Sequence, residues 1–471
     1  MKRYSSLCII ILNLMFAACM PVTPPGTPWP TLDLRDVHTL CADLNAAWGN
    51  DWPRTIADLE KLRAQNALCD GADPAPKLYP AYYNYGVYLD AHGDTQNANK
   101  AYQFALASNP QGIEAAQALR TRNAFTPAAL PQCPDQQVRK ALDTIPAYKP
   151  QLNSDFVRTE ANHLILSGKP YTIRGVNYYP VRAPWRRFLT ESDLGVVAKE
   201  FDLIRTVGFN TLRIFLYYDA LFDCPGNGAV PKAEVFARLD GIIQLAAARG
   251  LRLIVTLNDI PDLGAQPLYL VPQSASARTE YLVTRYKAEP AILAWDLRNE
   301  GDIDYTRGGF TPSVVLDWLA RLSTQVRQSD PNHLITAGWD EDPQATESAV
   351  DMVSFHHWST PQSLQQRIDA LKVYTRKLIL LEEIGFSTLG TDEAQQAAMI
   401  RDTVTAAEGD GAAGWLVWTA FDFPTDVTCM PPACPSVDNG EHHFGLWRTD
   451  YTPKPAVQML KDLIAAADAS H

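Results

Sequence analysis

Residues 172–216 read TIRGVNYYPVRAPWRRFLTESDLGVVAKEFDLIRTVGFNTLRIFL, and this stretch decides the fold. Its two ends, Thr172–Tyr178 and Thr211–Leu216, are mostly apolar, as expected for strands that are buried on both faces. Between them, apolar residues recur at helical spacing and a glycine follows as the helix end: Leu194, Val197, Phe201, Ile204 and Gly208. The stretch therefore predicts one strand–helix–strand unit.

The same alternation continues to the C-terminus. Six more apolar segments have the length of strands: Arg252–Leu257, Ile292–Arg298, Leu334–Ala337, Met352–His356, Leu378–Leu381 and Ala413–Trp418. Eight buried strands in repeated β/α units predict an α/β fold, a closed (β/α)8 TIM barrel over residues 156–471. A doubly wound open sheet is the alternative, but eight strands and the lack of a glycine-rich nucleotide turn weigh against it.

A small all-α domain is predicted before the barrel, over residues 33–125. One alanine-rich stretch has the residue offsets of a tetratricopeptide repeat: Tyr82, Gly86, Ala98, Tyr102, Ala105 and Pro110. Residues 126–155 are rich in proline and predict a linker to the barrel. Two interpretations of the tetratricopeptide-like domain remain, a structural spacer or a groove that binds a protein partner.

The N-terminus has the pattern of an export signal. Lys2 and Arg3 precede a short apolar stretch, Leu7–Phe16, that is too short to span a membrane. The following Ala17–Cys19 resembles the lipobox of bacterial lipoproteins. We therefore expect a lipoprotein signal peptide at residues 1–18, a lipidated Cys19 and a proline-rich tether at residues 19–32. The protein would then lie outside the cytoplasm, anchored to the bacterial membrane by lipid alone; a plain secretory signal is the alternative.

The composition excludes some partners. A net charge of −12 and a pI near 5.2 give no basic surface for nucleic acid or for adsorption to anionic lipid. Six cysteines remain after Cys8 and Cys19 are set aside, and an even number in an exported chain predicts disulfides. The closest pairs within single segments are Cys41 with Cys69 and Cys429 with Cys434. A zinc site is the alternative, although no C-x-x-C spacing supports it.

Two acidic residues stand where a barrel places its reactive groups, at the carboxyl ends of strands. The fourth strand is followed by Asn299-Glu300, and the seventh runs into Glu382-Glu383-Ile384-Gly385. Strands four and seven face each other across a closed barrel of eight, so Glu300 and Glu383 would meet over the central cavity. Because neighbouring residues of a strand point to opposite sides, only one of Glu382 and Glu383 is expected to face that cavity.

These motifs resemble those of the retaining glycoside hydrolases in the large clan of (β/α)8 barrels, especially family 5 of the cellulases and mannanases. The resemblance covers about 300 residues from Phe156 onward. The resemblance rests on two motifs, Asn299-Glu300 and Glu383-Ile384-Gly385. Other similar features are Arg174–Tyr178, Arg213, His356, Trp418 and Pro453–Ala456. The resemblance implies that Glu300 is the acid/base and Glu383 the nucleophile.

The resemblance also implies substrate contacts. Asn299 would bond the 2-hydroxyl of the sugar, Arg213 would keep Glu383 ionised, and His356 would orient the site. An aromatic platform is expected from Trp418, and Tyr178 and Trp358 would lie at the mouth; Trp358 replaces the family's tyrosine. The third strand ends in Asn258-Asp259, where many relatives carry a histidine. The implied mechanism needs neither metal nor other cofactor.

The sequence thus predicts an exported retaining β-glycosidase with a β-glucan or β-mannan as the substrate. Two alternatives remain open. One is a transglycosylase, in which a sugar resolves the glycosyl intermediate on the same site. The other is a non-catalytic surface lipoprotein that binds glycan or protein.

Overall fold

The computed structural model describes residues 37–469 apart from residues 66, 70, 110–111, 123–130, 152–153, 161, 261–267, 270–271, 307–309, 311 and 429–434. The predicted signal peptide, Cys19, the tether, Pro110 and the Cys429–Cys434 pair lie outside the described residues. Within the described part, no helix combines the length and apolar character needed to cross a membrane. The described residues form two compact units, one within residues 1–125 and 305–311 and the other within residues 126–304 and 312–471.

The first unit is helical, as predicted. Its helices are α1 (Val37–Ala47), α2 (Trp52–Ala64), α3 (Leu78–Ala91), α4 (Thr95–Ser108) and α5 (Ile113–Arg122), with a 3₁₀ turn at Ala75–Lys77. Asp51 and Asp94 cap α2 and α4 by accepting backbone N–H bonds. Gly86 lets α3 and α4 approach, because a Cβ there would lie 2.6 Å from the Tyr102 ring. The assignment to tetratricopeptide repeats stays a prediction.

Within the described residues, two disulfides are formed. Cys41 pairs with Cys69 inside the helical unit, which confirms that prediction. Cys133 pairs with Cys224 in the second unit, a pairing that spacing along the sequence did not single out. The four cysteines therefore form disulfides rather than a zinc site.

The second unit contains the eight predicted strands. They are β1 (Ile173–Asn177), β2 (Thr211–Phe215), β3 (Arg252–Thr256), β4 (Ile292–Asp296), β5 (Leu334–Thr336), β6 (Met352–His357), β7 (Leu378–Ile384) and β8 (Gly414–Val417). Their order in the sheet is β5-β4-β3-β2-β1-β8-β7-β6, and every neighbouring pair is parallel. The ends of the sheet meet through a bridge between Trp339 and Phe355 and a 3.1 Å bond from His356 N to Trp339 O. An eight-stranded parallel barrel results.

Helices connect most of the strands. The first helix after residue 125 is α6 (Asp135–Thr144), inside the segment predicted as a linker. The later helices are α7 (Phe188–Glu191), α8 (Leu194–Val207), α9 (Tyr218–Leu221), α10 (Ala233–Ala248), α11 (Pro272–Tyr286), α12 (Ile303–Thr306), α13 (Pro312–Ser329), α14 (Pro361–Tyr374), α15 (Glu393–Gly409) and α16 (Pro455–Ala469). All belong to the second unit except the last two residues of α12. As expected, Gly208 ends α8 in a left-handed conformation. Between β5 and β6 the alternation fails, since the connection there contains the 3₁₀ helix Pro343–Ala349.

Short strands and 3₁₀ turns complete the unit. A small antiparallel sheet of Arg158–Glu160, His163–Leu166 and Lys169–Pro170 precedes the barrel, and Phe222–Asp223 pairs with Val230–Pro231 after β2. Further 3₁₀ turns are Trp185–Arg187, Pro225–Asn227 and Gly440–His442. All residues of the eight barrel strands are buried. The polar groups beyond their carboxyl ends are therefore held by a rigid frame.

Candidate active site

Glu300 and Glu383 meet at the carboxyl ends of the barrel strands. Glu383 belongs to β7, and Glu300 follows β4 by four residues. The backbone of Glu300 has a φ of 46°, a left-handed conformation that is uncommon for glutamate. Its N–H donates to Gly338 O at 2.7 Å, which ties this turn to the end of β5. One carboxylate oxygen of each glutamate lies within 4.8 Å of the other.

His356 lies between the two glutamates. Its Nδ1 is 2.9 Å from Glu300 Oε1, and its Nε2 is 3.7 Å from Glu383 Oε1. Burial of the ring would lower the pKa of His356, but the charge of Glu383 and the hydrogen bond with Glu300 outweigh it and raise the pKa to about 9. The imidazole is therefore a cation at neutral pH, placed between two carboxyl groups.

Arg213, on β2, is the fixed cation of the site. Its side chain is fully buried and contacts three carboxyl groups. Nη2 is 2.6 Å from Asp296 Oδ2, Nε is 3.6 Å from Glu382 Oε1, and Nη1 donates to Glu383 Oε1. Burial would lower the pKa of Arg213, but the three carboxyl groups raise it above its usual value. Arg213 therefore supplies a charged hydrogen bond to the Glu383 carboxyl group.

The two glutamates differ in protonation. Burial raises the pKa of Glu383 to about 7, against the opposing charges of His356 and Arg213. Burial also acts to raise the pKa of Glu300, but the hydrogen bond and charge of His356 and the charge of Arg213 bring it below its usual value. In the free protein one proton is thus shared by Glu300 and His356, and Glu383 exchanges its own proton near neutral pH.

Glu382 also reaches Arg213, contrary to the expectation that only one of the two adjacent glutamates faces the cavity. The register of β7 against β6 shifts at this point, because Phe355 pairs with Leu381 whereas His356 pairs with Glu383. Such a bulge interrupts the alternation of side chains along a strand. Glu382 is fully buried, and burial raises its pKa to about 7.

Asn299 joins the group as expected, whereas Tyr178 does not. Asn299 Oδ1 accepts from Arg213 Nη2 at 2.9 Å. Tyr178 is fully buried, and its hydroxyl donates to Glu200 of α8 at 2.6 Å, outside the barrel. The neighbouring Tyr179 lies on the site side instead, with its ring 6.5 Å from that of Trp418.

The two predicted tryptophans lie beside the carboxyl groups. Trp418 follows β8, is 9% exposed, and donates from Nε1 to Glu441 Oε2 at 3.3 Å. The ring of Trp358 is 6.5 Å from that of His356, and the residue is 40% exposed. Trp358 also contributes a hydrogen bond that helps to lower the pKa of Glu300. The exposed ring of Trp358 and the nearly buried ring of Trp418 therefore border the catalytic candidates.

The spacing of Glu300, His356 and Glu383 would also suit a metal ion, since one ligand atom of each lies within 4.8 Å of the others. The neighbouring charges oppose that use. Arg213 donates to Glu383 and would repel a metal cation. The hydrogen bond between His356 and Glu300 and the ion pair between His356 and Glu383 account for the spacing.

The structure adds Glu382, which the sequence analysis set aside in favour of Glu383. It also adds four groups that the sequence did not place in the site: Asp296, Asp259, Tyr179 and Glu441. Asp296 carries a detectable signal, because a carboxylate ends the apolar run of β4. The contacts of Asp259 and Glu441 come from residues distant in sequence, so no local pattern marks them.

Comparison with known families gives a clear match. The profile described as cellulase, glycosyl hydrolase family 5, matches residues 167–421. A probable mannan endo-1,4-beta-mannosidase C of Aspergillus terreus is 28% identical over 223 residues, which are 39% of this chain and 54% of that protein. A putative mannan endo-1,4-beta-mannosidase 4 of Arabidopsis thaliana is 25% identical over 348 residues, 56% of this chain and 82% of that protein. This chain spans about half the length of the first of these relatives.

Solved structures show the same fold. The exo-beta-1,4-mannosidase Op5Man5 from Opitutaceae bacterium strain TAV5 superposes with a TM-score of 0.56 at 20% identity, covering 66% of this chain and 62% of that one. A GH5_18 protein from Streptomyces cattleya, solved in complex with GlcNAc, has a TM-score of 0.55 at 18% identity and covers 63% and 80%. At these identities the likeness extends to the barrel alone.

Proposed function

Because the chain belongs to the cellulase family of glycosyl hydrolases, family 5, we propose that it is a retaining β-glycosidase acting on a β-mannan. The observation that carries the mechanism is the approach of Glu300 and Glu383 from β4 and β7 to within 4.8 Å. Retaining glycosidases hold their two carboxyl groups about 5–5.5 Å apart, whereas inverting enzymes leave room for a water molecule between them. The separation therefore supports double displacement.

The two carboxyl groups take different steps. Glu383, held by Arg213, attacks the anomeric carbon and forms a glycosyl ester while Glu300 protonates the departing oxygen. Glu300 then takes a proton from water, which attacks the ester and releases the sugar with retained configuration.

The proton for the first step comes from the Glu300–His356 pair. Oε1 of Glu300 and Nδ1 of His356 are 2.9 Å apart, so one proton can move between them along a hydrogen bond. As the leaving oxygen gains negative charge, Glu300 donates a proton to it and receives the proton of His356 in turn. The raised pKa of His356, about 9, keeps the pair protonated at neutral pH.

The choice of mannan over glucan comes from the relatives, whose names are those of mannan endo-1,4-beta-mannosidases. An aryl β-mannoside or β-mannobioside tests the function directly, because phenol release is absent if the protein only binds glycan. Turnover of the mannosides should exceed that of the matching glucosides. An excess of longer oligosaccharides over hydrolysis products would instead identify a transglycosylase.

The pH dependence of kcat/KM should be bell-shaped, with limbs near pH 7 and pH 9. Glu383 attacks only when ionised, so activity falls as the pH drops through its pKa of about 7. Protonation of the leaving group needs the proton of the Glu300–His356 pair, so activity falls as the pH rises through about 9. The measurement is kcat/KM of an aryl β-mannoside with a poor leaving group between pH 4 and pH 10.

Two comparisons test the assignment of the limbs. A substrate with a good leaving group should lose most of the alkaline limb, because it needs little protonation. The variant Glu382→Gln should keep the acid limb, although the pKa of Glu382 is also about 7. An acid limb near pH 4 would show that burial does not raise the pKa of Glu383, and loss of the limb in Glu382→Gln would show that the limb belongs to Glu382.

We further propose that the protein is held at the bacterial membrane through an acylated Cys19, on the strength of the lipobox-like Ala17–Cys19 ending. The variant Cys19→Ser should lose the lipid and appear in the soluble fraction, or remain unprocessed. Fractionation followed by mass measurement of the N-terminal peptide checks this. A Cys19→Ser protein that is processed and sediments with membranes as before would refute the anchor.

A further inference from the structure

Asp259, three residues beyond β3, is buried within the active site and accepts four hydrogen bonds. Its Oδ1 accepts from Ile260 N at 2.8 Å and from Asn299 Nδ2 at 3.0 Å. Its Oδ2 accepts from the hydroxyls of Tyr179 at 2.7 Å and Tyr217 at 2.5 Å. A carboxylate has about four positions for donors, so the two oxygens of Asp259 are fully used by the protein.

The Asn299 side chain is thereby held at both ends. Arg213 can only donate, and it donates to Asn299 Oδ1; the Asp259 carboxylate accepts from Asn299 Nδ2. A flipped amide would set its NH₂ group against the guanidinium and its oxygen against the carboxylate. The amide therefore has one orientation, with a second N–H on Nδ2 left for a ligand.

We propose that Asp259 is a positioning residue that aims this N–H of Asn299 at the 2-hydroxyl of the sugar bound for cleavage; the proposal rests on the proposed glycosidase function. Hydrogen bonds to the 2-hydroxyl strengthen in the transition state of glycoside cleavage. The orientation of the Asn299 N–H therefore affects the rate. Asp259 itself does not touch the sugar, because its four acceptor positions are occupied.

The variant Asp259→Asn tests this link. An asparagine at this position offers one oxygen in place of two, and its NH₂ group competes with that of Asn299 for the remaining acceptors. The Asn299 amide then loses its hydrogen bond to residue 259, or it flips so that its NH₂ group faces Arg213. The measurement is kcat/KM for two substrates. The complete substrate is an aryl β-mannoside, or the aryl β-mannobioside if the enzyme needs two sugars. The 2-deoxy substrate is the same compound without the 2-hydroxyl on the sugar whose bond is cleaved.

We expect Asp259→Asn to lower kcat/KM for the complete substrate about 30-fold and for the 2-deoxy substrate less than about 3-fold. Adding Asp259→Asn to an Asn299→Ala background should cost no more than about 2-fold, because the contact is already absent. Asp240→Asn is the matched control. Like Asp259, Asp240 accepts a hydrogen bond from a tyrosine hydroxyl, that of Tyr286; it also accepts from Arg285, and it lies on α10 away from the site.

The outcomes separate the proposals. If Asp259→Asn lowers kcat/KM equally for both substrates, Asp259 supports the site in general and does not position Asn299. The same conclusion follows if Asp259→Asn lowers kcat/KM as much in the Asn299→Ala background as in the wild type. If Asp259→Asn leaves kcat/KM for the complete substrate unchanged, Asn299 does not depend on its hydrogen bond to Asp259. A wild-type protein that releases no phenol from any of these substrates would refute the glycosidase function, and the role of Asp259 with it.

Discussion

Replacing Glu383 by alanine is expected to lower the rate of aryl β-mannoside hydrolysis by about four powers of ten or more, because no other group then forms the glycosyl ester. Azide should restore turnover, since a small anion fits the space left by the side chain and attacks the anomeric carbon directly. The product should be the α-mannosyl azide, of inverted configuration. Its stereochemistry is read by nuclear magnetic resonance.

Glu382→Ala is the matched control for Glu383→Ala, because it removes an adjacent buried carboxyl group that also reaches Arg213. Its rate should fall far less, and azide should not restore it. Azide rescue of Glu382→Ala, with Glu383→Ala still active, would mean that the bulge in β7 presents the other glutamate to the substrate.

Replacing Glu300 by alanine should produce the opposite pattern. A substrate with a good leaving group should still form the glycosyl ester, but the ester should persist, because no base activates the water. With a poor leaving group the first step itself should slow by about three powers of ten. Pre-steady-state bursts of phenol measure the two steps separately.

Azide distinguishes Glu300→Ala from Glu383→Ala. Azide needs no general base, so it should release the ester of Glu300→Ala and give the β-mannosyl azide, of retained configuration. An inverted azide product from Glu300→Ala, or the absence of any burst with a good leaving group, would contradict the acid/base role of this residue.

The barrel was predictable because its signal repeats along the chain. Each strand is a short apolar run buried on both faces, and Gly208 ends α8 as expected. The exception is the connection between β5 and β6, where the 3₁₀ helix Pro343–Ala349 replaces an α-helix. The closure of the sheet depends on Trp339 and Phe355, which no local pattern pairs.

The site was predictable where a motif fixes a residue at a strand end, as for Glu300 and Glu383. Prediction failed where the backbone departs from regular strand geometry. Glu382 shares the cavity side with Glu383 because the register of β7 shifts between them. Tyr178 was expected at the mouth of the barrel, but β1 ends at Asn177; the Tyr178 hydroxyl donates to Glu200, and Tyr179 lies on the site side.

The ion pairs around Arg213 could not be predicted from the sequence for another reason. Asp296, Glu382 and Glu383 come from two strands and converge on one guanidinium from β2. Convergence of this kind is a property of the closed barrel and leaves no trace in the spacing of residues.

The central claim, that Glu383 is the nucleophile, is tested most directly by trapping the glycosyl ester. A 2-deoxy-2-fluoro-β-mannosyl fluoride reacts with the nucleophile of a retaining enzyme and leaves it slowly, because fluorine destabilises the transition states of both steps while fluoride departs easily. Proteolysis and fragmentation by mass spectrometry then locate the label within the peptide that contains both adjacent glutamates. We predict one fluoromannosyl group on Glu383; a label on Glu382, or an unlabelled protein that still hydrolyses mannosides, would contradict the account.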